Sequence, residues 1–205
     1  LFGSQPLGLN AVEQHGWMLH GGGQALYDEM YARFNLKPFL CGNSGPQWAG
    51  WFRREINTLD DLRGLKYRTT GLNSVVMSRL GVAVEAMSGP AMFQAPQSGA
   101  LDAGEFIGPW TDSGLGFQQV APFYYDNGVG EPSSAEECAI NMDSWNALPD
   151  DLKAAVELAA ESLYNAVLTE YNTKHALALR QLVEGGTQVR AWPEEIIIAM
   201  GNTMG

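Results

Sequence analysis

The sequence predicts an α/β fold, in which short strands alternate with helices along one chain. Segments at residues 36–40, 66–70 and 82–87 have the length of strands, and helical patterns separate them. This alternation is typical of βαβ units. Of the 205 residues, 45% are hydrophobic and 17% are charged, a composition typical of folded globular domains and not of disordered chains.

Local signals place the elements along the chain. Helical spacing covers residues 10–34 with a break at Gly21-Gly22-Gly23, because consecutive glycines disfavour a helix. Thr58, followed by Asp60 and Asp61, predicts an N-capped helical turn. Strands are predicted at residues 36–40, 48–52, 66–70, 82–87, 103–107, 120–125 and 137–141, and helices at 73–80 and 90–98, the last of which Pro96 shortens or kinks.

The longest predicted element is a helix that begins after Pro149 and ends at Gly185-Gly186. Its apolar face is predicted at Leu152, Val156, Ala159, Leu163, Val167, Tyr171, Leu177 and Leu182. A helix of about 35 residues is about 50 Å long, which exceeds the width of one small lobe. We therefore expect it to kink or to bridge two lobes.

The composition excludes several classes of function. The net charge of −11, from 23 acidic and 12 basic residues, argues against nucleic-acid binding, which needs clustered lysines and arginines. No stretch reaches the roughly 18 apolar residues that span a bilayer. An anionic ligand would need a local cation, because the overall charge repels it. The chain begins at Leu1 and reads as a fragment or a processed form, so we draw no compartment from its start.

The cysteines and histidines fit no metal site. Cys41 and Cys138 lie far apart in the sequence, and although they could pair in an oxidising compartment, we expect two buried free thiols. His15, His20 and His175 lack zinc-ligand spacing and are expected to pack against helices or to face solvent. His20 precedes the glycine run in the manner of an esterase oxyanion loop, but the nucleophile elbow of those enzymes is missing.

One carboxylate stands out. Glu105 lies in the apolar and small-residue segment 101–110, and an isolated ionised carboxylate in such surroundings needs a compensating cation, metal or hydrogen-bond set. Arg68, near the carboxyl end of a predicted strand, is a candidate cation, and Gln47 is a candidate oxygen ligand. The alternatives are that Glu105 only pairs with Arg68 or points to water, and that Arg68 is a surface arginine at a strand end.

Several ordered motifs carry a family resemblance. They are GNSGPQ at 42–47, GWFRREI at 50–56, GLKYR at 64–68, LDAGEFIGP at 101–109 and NMDSWNALP at 141–149. Together they resemble the solute receptors of tripartite ATP-independent periplasmic (TRAP) transporters. The resemblance covers nearly the whole chain and is strongest to the branch that binds 2-oxo acids or lactate with a metal ion.

The resemblance implies a two-lobe periplasmic solute-binding fold (type II-like), with strands that cross between the lobes and a long bridging helix. Residues 1–45 and 131–172 would form part of lobe I, and residues 46–130 and 173–205 would form lobe II. The first part of the family's sequence, including part of the first lobe and its pocket wall, is absent from this chain, so lobe I would be incomplete.

The resemblance also implies a ligand set. Arg68 corresponds to the arginine that binds the ligand carboxylate, and Gln47 and Glu105 to residues that contact both the ligand and the metal. Phe106 would give a backbone carbonyl to the metal, where many relatives have Trp. Hard oxygen ligands of this kind suit Ca²⁺ or Na⁺. Val129, where relatives often carry Trp near the pocket, leaves the ligand's side-chain size open.

The function implied is that of a periplasmic receptor without catalytic activity. It would bind a small monocarboxylate, either a 2-oxo acid such as pyruvate or lactate, with a metal ion, and deliver it to the membrane permease subunits of the transporter. A homodimer is a further expectation. The alternative is an enzyme that uses Glu105 as a general base on a 2-oxo acid, although no second acid or base is evident.

Overall fold

Two separate β-sheets organise the computed structural model of the chain, which describes residues 4–87, 91–92, 100–126 and 128–204. A two-stranded antiparallel sheet pairs β1 with β7, and a six-stranded mixed sheet has the order β4-β3-β5-β2-β6-β8. The strands are β1 Leu36–Asn43, β2 Gly50–Phe52, β3 Lys66–Arg68, β4 Ala83–Glu85, β5 Ala103–Gly104, β6 Phe123–Tyr125, β7 Ala135–Asn141 and β8 Gln188–Arg190. The predicted α/β class is confirmed.

Helices cover both sheets. They are α1 Ala11–His20, α2 Gly23–Ala32, α3 Gly71–Arg79, α4 Pro109–Leu115, α5 Met142–Ala147, α6 Asp150–Glu184 and α7 Glu194–Asn202. The glycine run breaks the first helical segment as predicted, with Gly22 at a φ of 85°, a conformation that glycine adopts without strain. Across the described ranges, no helix combines the length and the apolar character that crossing a membrane requires.

Some elements differ from the sequence-based expectation. The strands predicted at 103–107 and 120–125 are shorter in the structure, and α4, α5, α7 and β8 were not predicted. The segment after Gly108, for which no element was predicted, forms a helix with Pro109 in its first turn. The helix predicted at 90–98 lies outside the described residues, apart from 91–92.

The long helix α6 runs for 35 residues and contacts elements of both sheets. It packs against β1 of the small sheet and against α4, which precedes β6 of the large one. The predicted apolar face is partly wrong. Leu152 and Leu163 are each 48% exposed, whereas the buried positions are Tyr164, Ala178 and Leu182. The buried stripe follows the two contact regions, which helical spacing alone does not reveal.

Alternating side chains of the large sheet enter two different cores. On β2, Trp51 joins one hydrophobic cluster and Phe52 the other, and on β6 Tyr124 and Tyr125 divide in the same way. Successive residues of a strand point to opposite faces of the sheet, so both faces are covered. The aromatic residues of β6 therefore serve the core.

Asp112 of α4 is buried inside this framework, with none of its surface exposed. Its carboxylate accepts hydrogen bonds from the Trp51 indole at 3.2 Å and the Tyr124 hydroxyl at 2.9 Å. It also accepts from the backbone N–H groups of Ile107 and Gly108 at 3.2 and 3.1 Å. Burial nevertheless raises the pKa of Asp112 to about 6. One side chain thus ties β2, β6 and the loop after β5 together.

Cys41 and Cys138 form a disulfide across β1 and β7, so the expectation of two free thiols is wrong. Cys41 occupies the point where the β1–β7 register shifts between Leu40 and Gly42. The two Cα atoms lie 5.8 Å apart although 97 residues separate them in sequence. Only the pairing of the two strands creates this proximity, and sequence spacing does not show it.

We expect the disulfide to contribute strongly to stability, because it closes a long loop in the unfolded chain. Replacing both cysteines by alanine should lower the free energy of unfolding by about 2–5 kcal/mol. Urea titration of the double variant, beside wild-type protein with and without reductant, measures this. Equal stability of the oxidised and reduced wild type would contradict the expectation.

Asp112 should give stability a specific pH dependence. Because its pKa rises from the ordinary value of 3.8 to about 6 on folding, the folded state holds its proton more tightly. Stability from this group therefore falls as pH rises from about 4 to about 6, by up to about 3 kcal/mol. The test compares the unfolding free energies of wild type and Asp112→Asn at pH 4 and at pH 6.5. The difference between the two proteins should change by up to about 3 kcal/mol between these pH values. A difference that does not change with pH would contradict the role of burial.

Candidate functional site

Arg68 is the last residue of β3 and lies at the carboxyl end of that strand. The neighbouring strands β4 and β5 run parallel to it, with Glu85 and Gly104 opposite Arg68. Only 7% of the arginine is exposed, so the alternative of a surface arginine is wrong. Its edge of the sheet, at the carboxyl ends of parallel strands, is where open α/β sheets bind ligands.

Glu105 follows β5 and faces Arg68. Its backbone N–H donates to the Arg68 carbonyl at 3.1 Å. Arg68 Nη1 donates to Glu105 Oε1 at 3.0 Å and also to the Glu105 carbonyl oxygen, and Nε donates to the Met87 carbonyl at 3.0 Å. Since only 3% of Glu105 is exposed, the alternative that it points to water is wrong, while the ion pair with Arg68 is present.

The second carboxylate oxygen of Glu105, Oε2, has no hydrogen-bond partner within the described ranges, although it is buried. Burial raises the pKa of Glu105 to about 8; Arg68 opposes this rise, and the carboxylates of Glu131 and Asp112 add to it. A cation beside Oε2 would stabilise the ionised form. One carboxylate oxygen of Glu105 thus binds Arg68, and the other has no partner among the described residues.

Gln47 lies in the segment between β1 and β2, which links the two sheets. Its backbone N–H donates to the Glu131 carbonyl at 2.9 Å, and its Nε2 donates to Ser134 Oγ at 2.7 Å. Because the amide nitrogen is occupied, the amide oxygen is the end of the side chain that suits a cation. Glu131 and Ser134 therefore hold Gln47 in place.

Two cavities share a wall made by Gln47, Asn73, Gly130 and Glu131. The first is also lined by Glu105 and has a volume of about 10 Å³, close to the smallest space that holds one water molecule. The second, beside the start of α3, has a volume of about 480 Å³, within the range of small-molecule sites. The structure thus brings Gln47 and Glu105 to one cavity, next to a cleft of ligand size.

Phe106 lies between two residues whose backbones are held in place. Glu105 is bonded to β3, and the Ile107 carbonyl accepts from the Trp48 N–H at 3.0 Å. The Phe106 ring centre lies 5.9 Å from the guanidinium carbon of Arg68, a cation–π distance. No contact tests whether the Phe106 carbonyl binds a metal, so that role stays a prediction.

Sequence reasoning missed Glu131, which lies beside this group. It lines both cavities with Gln47, and burial raises its pKa to about 7 while Arg68 lowers it. It stands in a turn sequence, Gly-Glu-Pro, that carries no chemical signature. Asp112 was also missed, although an acidic residue in the first turn after Gly108-Pro109 is a signal for a helix start.

The donor set suits a hard cation better than a transition metal. No group of three or more His, Cys, Asp or Glu side chains with metal-binding geometry occurs in the described part of the chain. Amide, carboxylate and carbonyl oxygens are the ligands of Ca²⁺ and Na⁺, and the unpartnered Oε2 of Glu105 supplies the position that such an ion would occupy. The residues present therefore fit the ion that the family resemblance implies.

The histidines play other roles. His15 stacks on Tyr164, with ring centres 4.1 Å apart, and His175 Nδ1 accepts from the Trp110 N–H at 3.1 Å. Both therefore serve helix packing, as expected.

Comparison with known proteins identifies the relatives. Residues 2–205 match DctP, bacterial extracellular solute-binding protein, family 7. The chain is 39% identical over 196 residues to the monocarboxylate 2-oxoacid-binding periplasmic protein all3028 of Nostoc sp., an alignment that covers 96% of this chain and 54% of that protein.

Solved structures agree. A TRAP transporter solute-binding protein from Bordetella bronchiseptica, with calcium and picolinate, matches with a TM-score of 0.93 and 37% identity over 98% of this chain and 60% of its own. A protein from Colwellia psychrerythraea with calcium and pyruvate matches with a TM-score of 0.92 and 31% identity, over 98% of this chain and 62% of its own. A protein from Pseudoalteromonas atlantica with sodium and pyruvate matches with a TM-score of 0.91 and 30% identity, over 98% of this chain and 61% of its own.

These comparisons confirm the fold that the motifs suggested. The chain spans between 54% and 62% of the lengths of these relatives. Together with the match across residues 2–205, they show that the chain belongs to the DctP family, family 7 of the bacterial extracellular solute-binding proteins.

Proposed function

We propose that this chain is the larger part of a periplasmic solute receptor that binds a small monocarboxylate, either a 2-oxo acid such as pyruvate or lactate, with Na⁺ or Ca²⁺. The observation that carries the proposal is the buried Arg68–Glu105 pair, which leaves one Glu105 oxygen without a partner among the described residues, at a small cavity next to the cleft. The relatives that bind pyruvate with sodium or calcium support it.

In this proposal the side chains of Gln47 and Glu105 and the carbonyl of Phe106 hold the ion. Bound there, the ion supplies positive charge to a carboxylate and to the oxygen at C2 of the ligand. Arg68 binds the ligand carboxylate with the edge of its guanidinium that the described residues leave without an acceptor, Nη2. The carboxylate of Glu131 adds negative charge to the same wall, which favours a cation over an anion at the centre.

Energetics indicate that no single contact suffices. A charged hydrogen bond contributes roughly 1.5–3 kcal/mol, whereas micromolar binding needs about 8 kcal/mol. Arg68 therefore needs the ion and the closure of the cleft as well. No observation favours the enzyme alternative with Glu105 as general base, because the family to which the chain belongs consists of solute-binding proteins.

The lobe boundaries are part of the proposal. Residues 1–45 and 131–172, assigned to lobe I, contain both strands of the small sheet, and residues 46–130 and 173–205, assigned to lobe II, contain all six strands of the large sheet. The disulfide between Cys41 and Cys138 supports an oxidising compartment such as the periplasm. Delivery to membrane permease subunits and a homodimer complete the proposal; the Bordetella bronchiseptica relative is a dimer.

Removing Arg68 should abolish monocarboxylate binding. Arg68→Ala removes the charged hydrogen bonds that Nη2 donates to the ligand and leaves Glu105 without its ion pair, so we expect affinity for pyruvate and lactate to fall more than about 100-fold. Arg68→Lys keeps the charge without the planar fork and should restore only part of it. Calorimetric titration of full-length protein, with circular dichroism to confirm folding, measures both. Arg63→Ala, which removes an exposed arginine, is the matched control, and unchanged affinity in Arg68→Ala would refute the assignment.

Neutralising Glu105 should uncouple the ligand from the metal. Glu105→Gln keeps the shape but removes the charge that holds the ion, so we expect weaker pyruvate binding that no longer responds to Ca²⁺ or Na⁺. Titrations with added Ca²⁺, with added Na⁺ and in chelated sodium-free buffer test this. Glu85→Gln, on the neighbouring strand and exposed, should behave as wild type. Full wild-type affinity in the ion-free buffer would defeat the metal hypothesis.

A further inference from the structure

Asn73 is a buried amide on the wall between the two cavities. It lies in the first turn of α3, only 6% of it is exposed, and it lines both the small cavity and the open cleft. Its Oδ1 has no hydrogen-bond partner in the part of the chain that the structure describes. A buried amide oxygen without a donor costs free energy of folding. This oxygen at the cleft is therefore a candidate acceptor for a bound ligand.

The orientation of this amide is fixed by its other end. Asn73 Nδ2 donates to Thr69 Oγ1 at 2.9 Å. With Nδ2 engaged in this bond, Oδ1 is the end of the amide that has no partner among the described residues. Oδ1 is therefore the atom that Asn73 presents.

The loop that carries Gly130 approaches this amide closely. A Cβ atom at Gly130 would lie 2.8 Å from Asn73 Oδ1 and 2.9 Å from Nδ2, so a larger residue there would displace the amide. Asn73, the Glu105 carboxyl and Gln47 thus meet at one cavity, and Asn73 is held in place there from both sides.

We propose that Asn73 Oδ1 accepts a hydrogen bond from the C2 hydroxyl of a 2-hydroxy acid and so favours that acid over the 2-oxo acid of the same carbon skeleton. This inference rests on the proposed function of the site. A hydroxyl oxygen that contacts the ion still carries a proton, and that proton needs an acceptor. A 2-oxo acid has no proton at C2, so it leaves Asn73 Oδ1 unpaired when it binds.

The test compares lactate with pyruvate, which differ only at C2. Dissociation constants for both are measured by calorimetry on full-length protein at one Ca²⁺ concentration, for wild type and for Asn73→Leu, which has a similar volume and no acceptor. We expect Asn73→Leu to weaken lactate relative to pyruvate by roughly three- to tenfold, the effect of one hydrogen bond. Ser78→Ala, at an exposed position of the same helix, should leave the ratio unchanged.

A second variant keeps Asn73 but removes the side-chain group that orients its amide. Thr69→Val removes the acceptor that orients Asn73, so the amide can flip and present Nδ2, and the preference for lactate should fall in the same direction. The proposal would be overturned if Asn73→Leu weakened the binding of both acids equally. It would also be overturned if Glu131→Gln, and not Asn73→Leu, changed the ratio of the two dissociation constants. If neither acid binds to the wild type with Ca²⁺ or Na⁺, the proposed function itself fails, which is a different outcome.

Discussion

The ion pair between Arg68 and Glu105 brings two opposite charges together where solvent scarcely reaches them, with exposed side-chain fractions of 8% and 4%. Taking such charges out of water costs several kcal/mol for each ion, and mutual attraction offsets this only when further hydrogen bonds assist. Arg68 obtains those bonds from the Met87 and Glu105 carbonyls. Glu105 does not obtain a full set from the described residues, since none of them hydrogen-bonds Oε2. This shortfall is what makes the site suitable for a cation.

Much of the surrounding structure serves to hold Glu105 in this position. Gly50 on β2 has a φ of 98°, and a Cβ there would lie 2.3 Å from the Gly104 carbonyl oxygen and 2.6 Å from Glu105 Cα. Asp112 and Trp48 fix the backbone just beyond it through Ile107. The carboxylate therefore stands on a backbone that neighbouring strands and a helix constrain, as a binding site requires if its geometry is to be preorganised.

The sequence predicted the class of fold, and it singled out three residues that the structure brings close together, Arg68, Glu105 and Gln47. Strand periodicity and the long helical pattern come from local spacing, and Arg68 stands at a strand end that the following Gly71 marks. What it failed to predict depends on contacts between distant segments. Cys41 and Cys138 are neighbours only because β1 pairs with β7. Glu131 and Asn73 reach the Glu105 cavity through a loop and a helix turn that no local pattern connects.

We expect an ion and a carboxylate ligand to meet at Glu105, and a crystal structure of the full-length protein grown with Ca²⁺ and pyruvate can test this. It should show anomalous density for one Ca²⁺ at about 2.3–2.6 Å from Glu105 Oε2, the Gln47 amide oxygen and the Phe106 carbonyl, distances typical of oxygen ligands to this ion. The pyruvate carboxylate should contact Arg68. A bound pyruvate with no ion near Glu105, or an ion bound away from these three residues, would refute this arrangement.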